Sequence, residues 1–309
     1  MTLPAHTNTD GAAGARFAAG MLGVATCAET TATTMAEDAA KVDVKLSFRH
    51  IANPSKLVTV HAQVKSGPSY RRSSNGEFIT LGIDKETLLA LSGSGMPGLV
   101  IWVPPPPMDR MYWYATDPRS PLKTPAKIRK TQYVRPSLRY DLSRLYDYAA
   151  WSRRYTKQTV ADLTEQQVMP KAKIAYKALQ LANLTNPLVG PLRVTRLAWR
   201  HITRRSKSSA RRTLSLRVVP YLKAFISSPP DRYACNFESI RTEGASTVET
   251  RFLLCWYRQA LTIAGESYSV LVRIREEITY PTNWSSRPLG DKEVRQTATL
   301  SSWWCKKDK

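Results

Sequence analysis

Val42-Asp43-Val44-Lys45-Leu46, followed by Val60-His61-Ala62-Gln63-Val64-Lys65-Ser66-Gly67, decides how the first part of this chain is read. Both stretches are apolar runs interrupted by polar residues, the pattern of strands with one polar face. Side chains two apart in a strand share a face, so Gln63 and Lys65 project together while Val64 points the other way. Pairing the two stretches as a hairpin puts Asp43 on the Gln63 and Lys65 face. A hard divalent cation takes oxygen ligands, which the Asp43 carboxylate, the Gln63 amide oxygen and the Val64 carbonyl can supply. Lys65 would then stand beside the cation, where it can orient or help deprotonate a water for attack on a phosphodiester. A Q-x-K triplet alone is weak, because the polar face of a strand is usually just solvated. Its weight comes from the segments around it.

Residues 12–22 are Ala-rich and read as a helix, and 24–30 as a short first strand. Residues 42–50 and 57–65 form the hairpin that carries the motif. Residues 84–91 read as a second helix with Asp84 as its N-cap, and 99–103 as a fully buried fourth strand. Met111-Tyr112-Trp113-Tyr114 follows as an aromatic strand. This order resembles the PD-(D/E)XK nuclease superfamily, whose core runs helix, strand, strand, strand, helix, strand. It is most similar to a group of poorly characterised bacterial nuclease domains linked to defence against phage, which commonly carry Q-x-K. The resemblance implies a restriction-endonuclease-like α/β core with a mixed sheet over residues 1–118. It implies catalysis by Asp43, Gln63 and Lys65, and Mg²⁺ or Mn²⁺ held by Asp43, Gln63 and the Val64 carbonyl. It further implies a hydrolase acting on nucleic acid, DNA before RNA, as an effector of phage or plasmid defence.

The chain departs from that family in one respect. Relatives usually carry a Glu on the first helix that reaches toward the metal, whereas the matching Gly14-Ala15-Arg16-Phe17 has no carboxylate. Asp43 is then the one sure anionic ligand, with Glu29, Glu37 and Asp38 as candidates to compensate. The alternative expectation is a non-catalytic nucleic-acid-binding subunit that keeps the fold. A site this poor in charge also points to completion by a defence-complex partner or a second copy of the chain.

At 309 residues the chain is long enough for two domains. Its net charge of +22 attracts polyanions. Nucleic acid fits better than an anionic membrane, since the basic residues do not build one amphipathic helix with a clean apolar face. Cys27, Cys235, Cys255 and Cys305 lack any C-x-x-C spacing, which argues against zinc-ribbon or thioredoxin chemistry. No apolar run is long enough to span a bilayer, and residues 18–28 lack the basic flank of an export signal. The expected location is the cytoplasm.

Residues 119–140 read as a basic, Pro-rich linker or extended arm, with Lys123, Lys127, Arg129, Lys130 and Arg135. Residues 141–309 read as a second, basic α+β domain. Helices are expected near 143–155 and 160–183. The first carries Tyr146, Tyr148, Trp151 and Tyr155, which serve either as core or as platforms for unpaired bases. Arg200, Arg204, Arg205, Lys207, Arg211 and Arg212 suggest a surface that tracks phosphates, with an acidic protein partner as the runner-up. The break at 206–209 suits a turn into a helix whose positive N-terminal end favours an anion. Runs at 251–257 and 268–274, with turns at Gly244 and Gly265, predict an antiparallel sheet. The polar tail beyond Pro281 is expected to dock near Trp303 before it frays.

Overall fold

A computed structural model describes residues 8–32, 42–93, 98–105, 110–116, 125–151, 155–204, 206, 208–290 and 292–308. The first helix, α1 (Asn8–Thr26), turns Ala18, Leu22 and Ala25 to one face, and all three are fully buried. That spacing is the inward stripe of an α-helix. The stripe continues through Ala25, so the helix outruns the expected stop at residue 22. It ends where Cys27 takes a left-handed φ of 52° and the Ala28 N–H reaches back to the Gly23 carbonyl at 3.1 Å. This is the Schellman closure of a helix. The first strand, β1 (Glu29–Ala32), is displaced along the chain in consequence.

Strands β2 (Val44–Arg49) and β3 (Leu57–Ser66) pair antiparallel, with Val44 opposite Ala62. Val44, Leu46 and Phe48 alternate into the same core as Val58, Val60, Ala62 and Val64. After β3 come β4 (Arg71–Asn75), β5 (Phe78–Leu81) and α2 (Lys85–Gly93), and then β6 (Gly98–Val103) returns parallel to β3. Every residue of β6 is buried, as its uninterrupted apolar run predicts. β7 (Tyr112–Thr116) completes a five-stranded mixed sheet in the order β1-β2-β3-β6-β7. Leu99, Ile101 and Val103 face the α1 side, whereas Val100 and Trp102 face α2 together with Ile79, Leu81, Leu88 and Leu91.

The linker expectation fails for the described part of 119–140. Ala126–Arg129 is a strand, β8, which pairs with β5 in a separate three-stranded sheet ordered β4-β5-β8. Ala126 and Ile128 are fully buried there, and that burial fixes the segment. Arg135 is no extended arm. It is 5 % exposed, and its guanidinium lies 4.2 Å above the Tyr133 ring. Lys123 lies outside the described residues.

The chain divides into one unit of Met1–Ala150 with Tyr280–Val294 and another of Trp151–Thr279 with Arg295–Lys309. The expected boundaries at 118 and 141 move because α3 (Leu138–Ala150) buries Leu138 and Leu142, with Val134, in the core that holds Leu22 and Val60. Trp284 packs on that core too, which is why 280–294 returns to the first unit.

The second unit is built on a mixed seven-stranded sheet. Its central ribbon is β12 (Arg232–Glu243), β13 (Ser246–Ile263), β14 (Glu266–Pro281) and β15 (Arg295–Lys307), flanked by β9 (Gln158–Val160), β10 (Leu184–Asn186) and β11 (Gly190–Arg193). Ala264 and Gly265, with φ of 50° and 80°, close the β13–β14 hairpin in the left-handed conformation that tight hairpins require. The tail docks at Trp303 as expected, fully buried against Tyr176, but it does so as the long strand β15, which runs on to Lys307. Helices α4 (Glu165–Leu181), α5 (Arg196–Thr203), α6 (Ser209–Val218) and α7 (Leu222–Ile226) cover the core, to which they contribute Tyr176, Ile202, Leu216 and Phe225. Among the described residues no helix is long and apolar enough to cross a membrane.

Candidate functional site

Asp43 stands just ahead of β2, its N–H donated to the Ala62 carbonyl at 2.9 Å. Its Oδ2 accepts the backbone N–H of Val64 and the side-chain Nε2 of Gln63, each at 2.5 Å. The β2–β3 register extends to set Asp43 against Gln63, and Gln63 and Lys65 pair with Val100 and Trp102 of β6. Asp43, Gln63 and Lys65 therefore lie on one face, the one toward α2, while Val64 turns to α1. That is the arrangement the hairpin reading predicts.

Gln63 is 6 % exposed, and its Oε1 is buried without a hydrogen-bond partner. A buried amide oxygen left in that state costs ~1–3 kcal/mol. The Val64 N–H points toward Asp43, and in extended backbone the carbonyl of a residue projects to the same side as its N–H. The Asp43 carboxylate, the Gln63 amide oxygen and the Val64 carbonyl are the hard oxygens of this motif, of the kind that Mg²⁺ or Mn²⁺ takes. Among the described residues no three His, Cys, Asp or Glu side chains gather to hold a metal, so an ion at this place depends on the amide and carbonyl oxygens. Glu29 pairs with Ser47, four positions along β2 from Asp43. At the strand rise this is ~13 Å, too far to share an ion. Glu37 and Asp38 lie outside the described residues.

Lys65 is half-buried, with its Nζ 5.4 Å from the centre of the Tyr70 ring. Asp84 caps α2 as expected. Its Oδ1 accepts the Thr87 N–H at 2.6 Å and its Oδ2 the Thr87 hydroxyl at 2.9 Å. The Thr87 backbone bond, more than any other influence, holds the Asp84 carboxyl below its ordinary value against partial desolvation, and the charge of Lys65 adds to the effect. Asp84 is thus a second carboxylate within electrostatic reach of Lys65, a neighbour that the capping reading did not foresee. His61 shares the Gln63 face two residues away, paired with Lys45 and with Gly98.

Helix α1 approaches the end of the motif at Gly14. A Cβ there would come within 2.6 Å of the Ser66 side chain, so the helix can lie this close only with glycine at that position. At Gly14 the helix is spent on close packing rather than on a side chain directed toward the motif.

In the second unit, Arg196, Arg200 and Arg204 recur every four residues along and just after α5 and are exposed, as is Arg211 on α6. Among the described residues none of these four is paired with a carboxylate. Arg205 and Lys207 lie outside the described residues. The expected turn into a helix is present, with Ser208 as N-cap of α6 accepting the Arg211 N–H at 3.4 Å. That helix start is not vacant, however. Glu165 takes the place an anion would occupy, receiving the Ser209 hydroxyl at 2.6 Å and Arg212 in a fork, Nε at 3.0 Å and Nη2 at 3.2 Å. Arg212 chiefly, then Ser209, lowers the Glu165 carboxyl below its usual range. Arg212 thus joins α6 to α4. Tyr155 is core, edge-on to Phe225 and Tyr257, and Tyr146 lies under Lys56 at 4.5 Å. Buried there, Tyr155 offers no open face to a base.

No protein-family model, no curated protein and no solved structure matches this chain.

Proposed function

We propose that the chain is a divalent-metal-dependent endonuclease with a restriction-endonuclease-like core in its first unit, hydrolysing phosphodiester bonds of DNA in preference to RNA. The setting proposed for it is the cytoplasm, as an effector of phage or plasmid defence. One observation carries the reading: Asp43, Gln63 and Lys65 share a sheet face on which the buried Gln63 Oε1 has no hydrogen-bond partner. A cation held by Asp43, Gln63 and the Val64 carbonyl would remove that cost. Mg²⁺ or Mn²⁺, when bound, supplies Lewis-acid stabilisation of charge on the phosphoryl oxygens. Lys65 orients the attacking water and neutralises part of the charge that develops on the phosphate. The Tyr70 ring lies against Lys65, and the Asp84 carboxylate is within electrostatic reach of it. With so few carboxylates, completion of the site by a defence-complex partner or a second copy belongs to the same proposal. The exposed arginines Arg200, Arg204 and Arg211 serve as the phosphate-binding surface of the second unit.

The contact of Gly14 with Ser66 favours a second reading, a nucleic-acid-binding subunit without catalysis, because it leaves no room for a carboxylate from α1 at that point. One assay separates the two. Purified protein is incubated with circular DNA, linear DNA and RNA, each with Mg²⁺, with Mn²⁺ and with EDTA. Metal-dependent cleavage of circular DNA that disappears in Lys65→Ala supports the nuclease. Tight binding with no cleavage under any condition supports the binding subunit.

A further inference from the structure

The three-stranded sheet β4-β5-β8 has one face in the core and one in solvent. Ile79, Leu81, Ala126 and Ile128 point inward onto Val100 and Trp102, on the same side of the main sheet as Gln63 and Lys65. The register leaves Phe78, Thr80, Lys127 and Arg129 on the outer face, with Ser73 opposite Thr80 and Asn75 opposite Phe78. None of these six residues is acidic. Lys127 and Arg129 are exposed and, two apart on one strand, stand ~6.6 Å from each other, comparable to the step between successive phosphates on one nucleic-acid strand. The Arg129 guanidinium lies 6.0 Å over Phe78, an arginine and aromatic pair that can face a phosphate and a base together. The side chain of Arg72 runs across Gly82, where a Cβ would sit 2.6 Å from its Nε, and adds a third cation at the end of β5.

The sheet is tied to the candidate site through its first turn. Tyr70 begins the insertion, accepts the Gly82 N–H on its carbonyl at 2.8 Å, and places its ring by Lys65. We propose that the outer face of β4-β5-β8 is a nucleic-acid-binding platform in the first unit, with Lys127, Arg129 and Arg72 contacting the phosphates of the strand presented to Lys65. The proposal rests on the nuclease reading for the identity of the polyanion, and binding in the absence of metal tests it separately.

The test is fluorescence anisotropy of a short labelled DNA duplex with the full chain in EDTA, across a salt series. Arg72→Gln combined with Lys127→Gln lowers affinity several-fold and flattens the slope of log affinity against log salt by about 1 to 2. The thermal midpoint stays in place, because both side chains are exposed. If the double variant loses its cooperative transition, Lys127→Gln alone decides, at about one unit of slope. Unchanged affinity and slope in a folded variant overturns the platform and leaves the chemistry of Lys65 untouched. A wild-type protein that binds through this face yet cleaves nothing with Mg²⁺ or Mn²⁺ leaves the platform standing and counts against the nuclease reading alone.

Discussion

One oxygen of Asp43, Oδ2, accepts the backbone N–H of Val64 at 2.5 Å, so the carboxylate proposed to hold a metal also fixes the strand that carries Gln63 and Lys65. In that proposal, metal binding and local structure are coupled at this atom. Asp43→Asn keeps the shape but weakens a charge-assisted acceptor, and should cost ~1–2 kcal/mol of stability in metal-free protein. It should also sharply weaken Mn²⁺ binding. Urea denaturation reads the first effect and calorimetry the second. A destabilised variant with wild-type Mn²⁺ affinity would show that Asp43 is only a strand lock.

Lys65→Ala should leave the fold nearly untouched, since it removes from the resting protein a contact with the Tyr70 ring, ~0.5–1 kcal/mol at a site of this kind, and a charge near Asp84. Cleavage should fall by ~10²–10⁴-fold, the usual share of a positioned acid–base group. Duplex binding in EDTA should change little. Equal cleavage by variant and wild type removes Lys65 from the chemistry.

The sequence was legible where burial imposed a period. Val44, Leu46 and Phe48 against Val58, Val60 and Ala62 announce the hairpin, and the unbroken run Leu99 to Val103 announces β6. β4 was hidden because Arg71, Arg72, Ser73, Ser74 and Asn75 are all exposed, so pairing alone makes them a strand. β15 was hidden because a register shift opposite Arg273 and Ile274 breaks the alternation between Leu300 and Trp303. The face shared by Asp43, Gln63 and Lys65 follows from strand geometry alone. The neighbours of Lys65 do not, since Tyr70 and Asp84 arrive from an insertion and a helix cap whose placement depends on the tertiary fold. The grip of Arg212 on Glu165 spans 47 residues, and no local pattern announces it.

Asp147 on α3 lies 2.8 Å from His50 Nε2 and 2.6 Å from Lys56 Nζ, which docks the helix against the closed end of the β2–β3 hairpin. Burial pushes its carboxyl up, but the bonds and charges of His50 and Lys56 outweigh this and hold it below the ordinary value of 3.8. A depressed carboxyl pKa contributes stability that is complete above the unfolded value and is lost as pH falls through the folded one. Acid unfolding of the wild type should therefore draw on Asp147 at and below that pH. Asp147→Asn should be less stable at neutral pH and show a shallower acid limb. Parallel curves of urea midpoint against pH for the two proteins would assign the acid sensitivity elsewhere.

Trp303 is fully buried, donates its indole N–H to the Ser215 carbonyl at 2.8 Å and stacks on Tyr176 at 5.7 Å. Trp303→Ala should destabilise the second unit by ~3–5 kcal/mol through the cavity and the lost contacts. Trp303→Phe, which retains a ring but leaves the Ser215 carbonyl without its donor, should cost less. Urea unfolding followed by circular dichroism ranks the two, and a wild-type midpoint in Trp303→Ala would contradict the placement of β15.

The arginines of the second unit should divide by partner rather than by position in sequence. Among the described residues Arg200 and Arg204 are exposed without a carboxylate partner, so their joint replacement by Ala should lower affinity for duplex DNA and flatten the salt slope by about 1 to 2 while leaving stability alone. Arg212 is held by Glu165, so Arg212→Ala should do the reverse, lowering stability modestly with little change in slope. Glu165→Gln discriminates further. It frees Arg212 and removes an anion from the start of α6, so DNA affinity should rise and the slope should steepen. If Arg212→Ala flattens the slope as much as the Arg200 and Arg204 replacement does, the Glu165 fork opens in the complex and α6 belongs to the phosphate-binding surface after all.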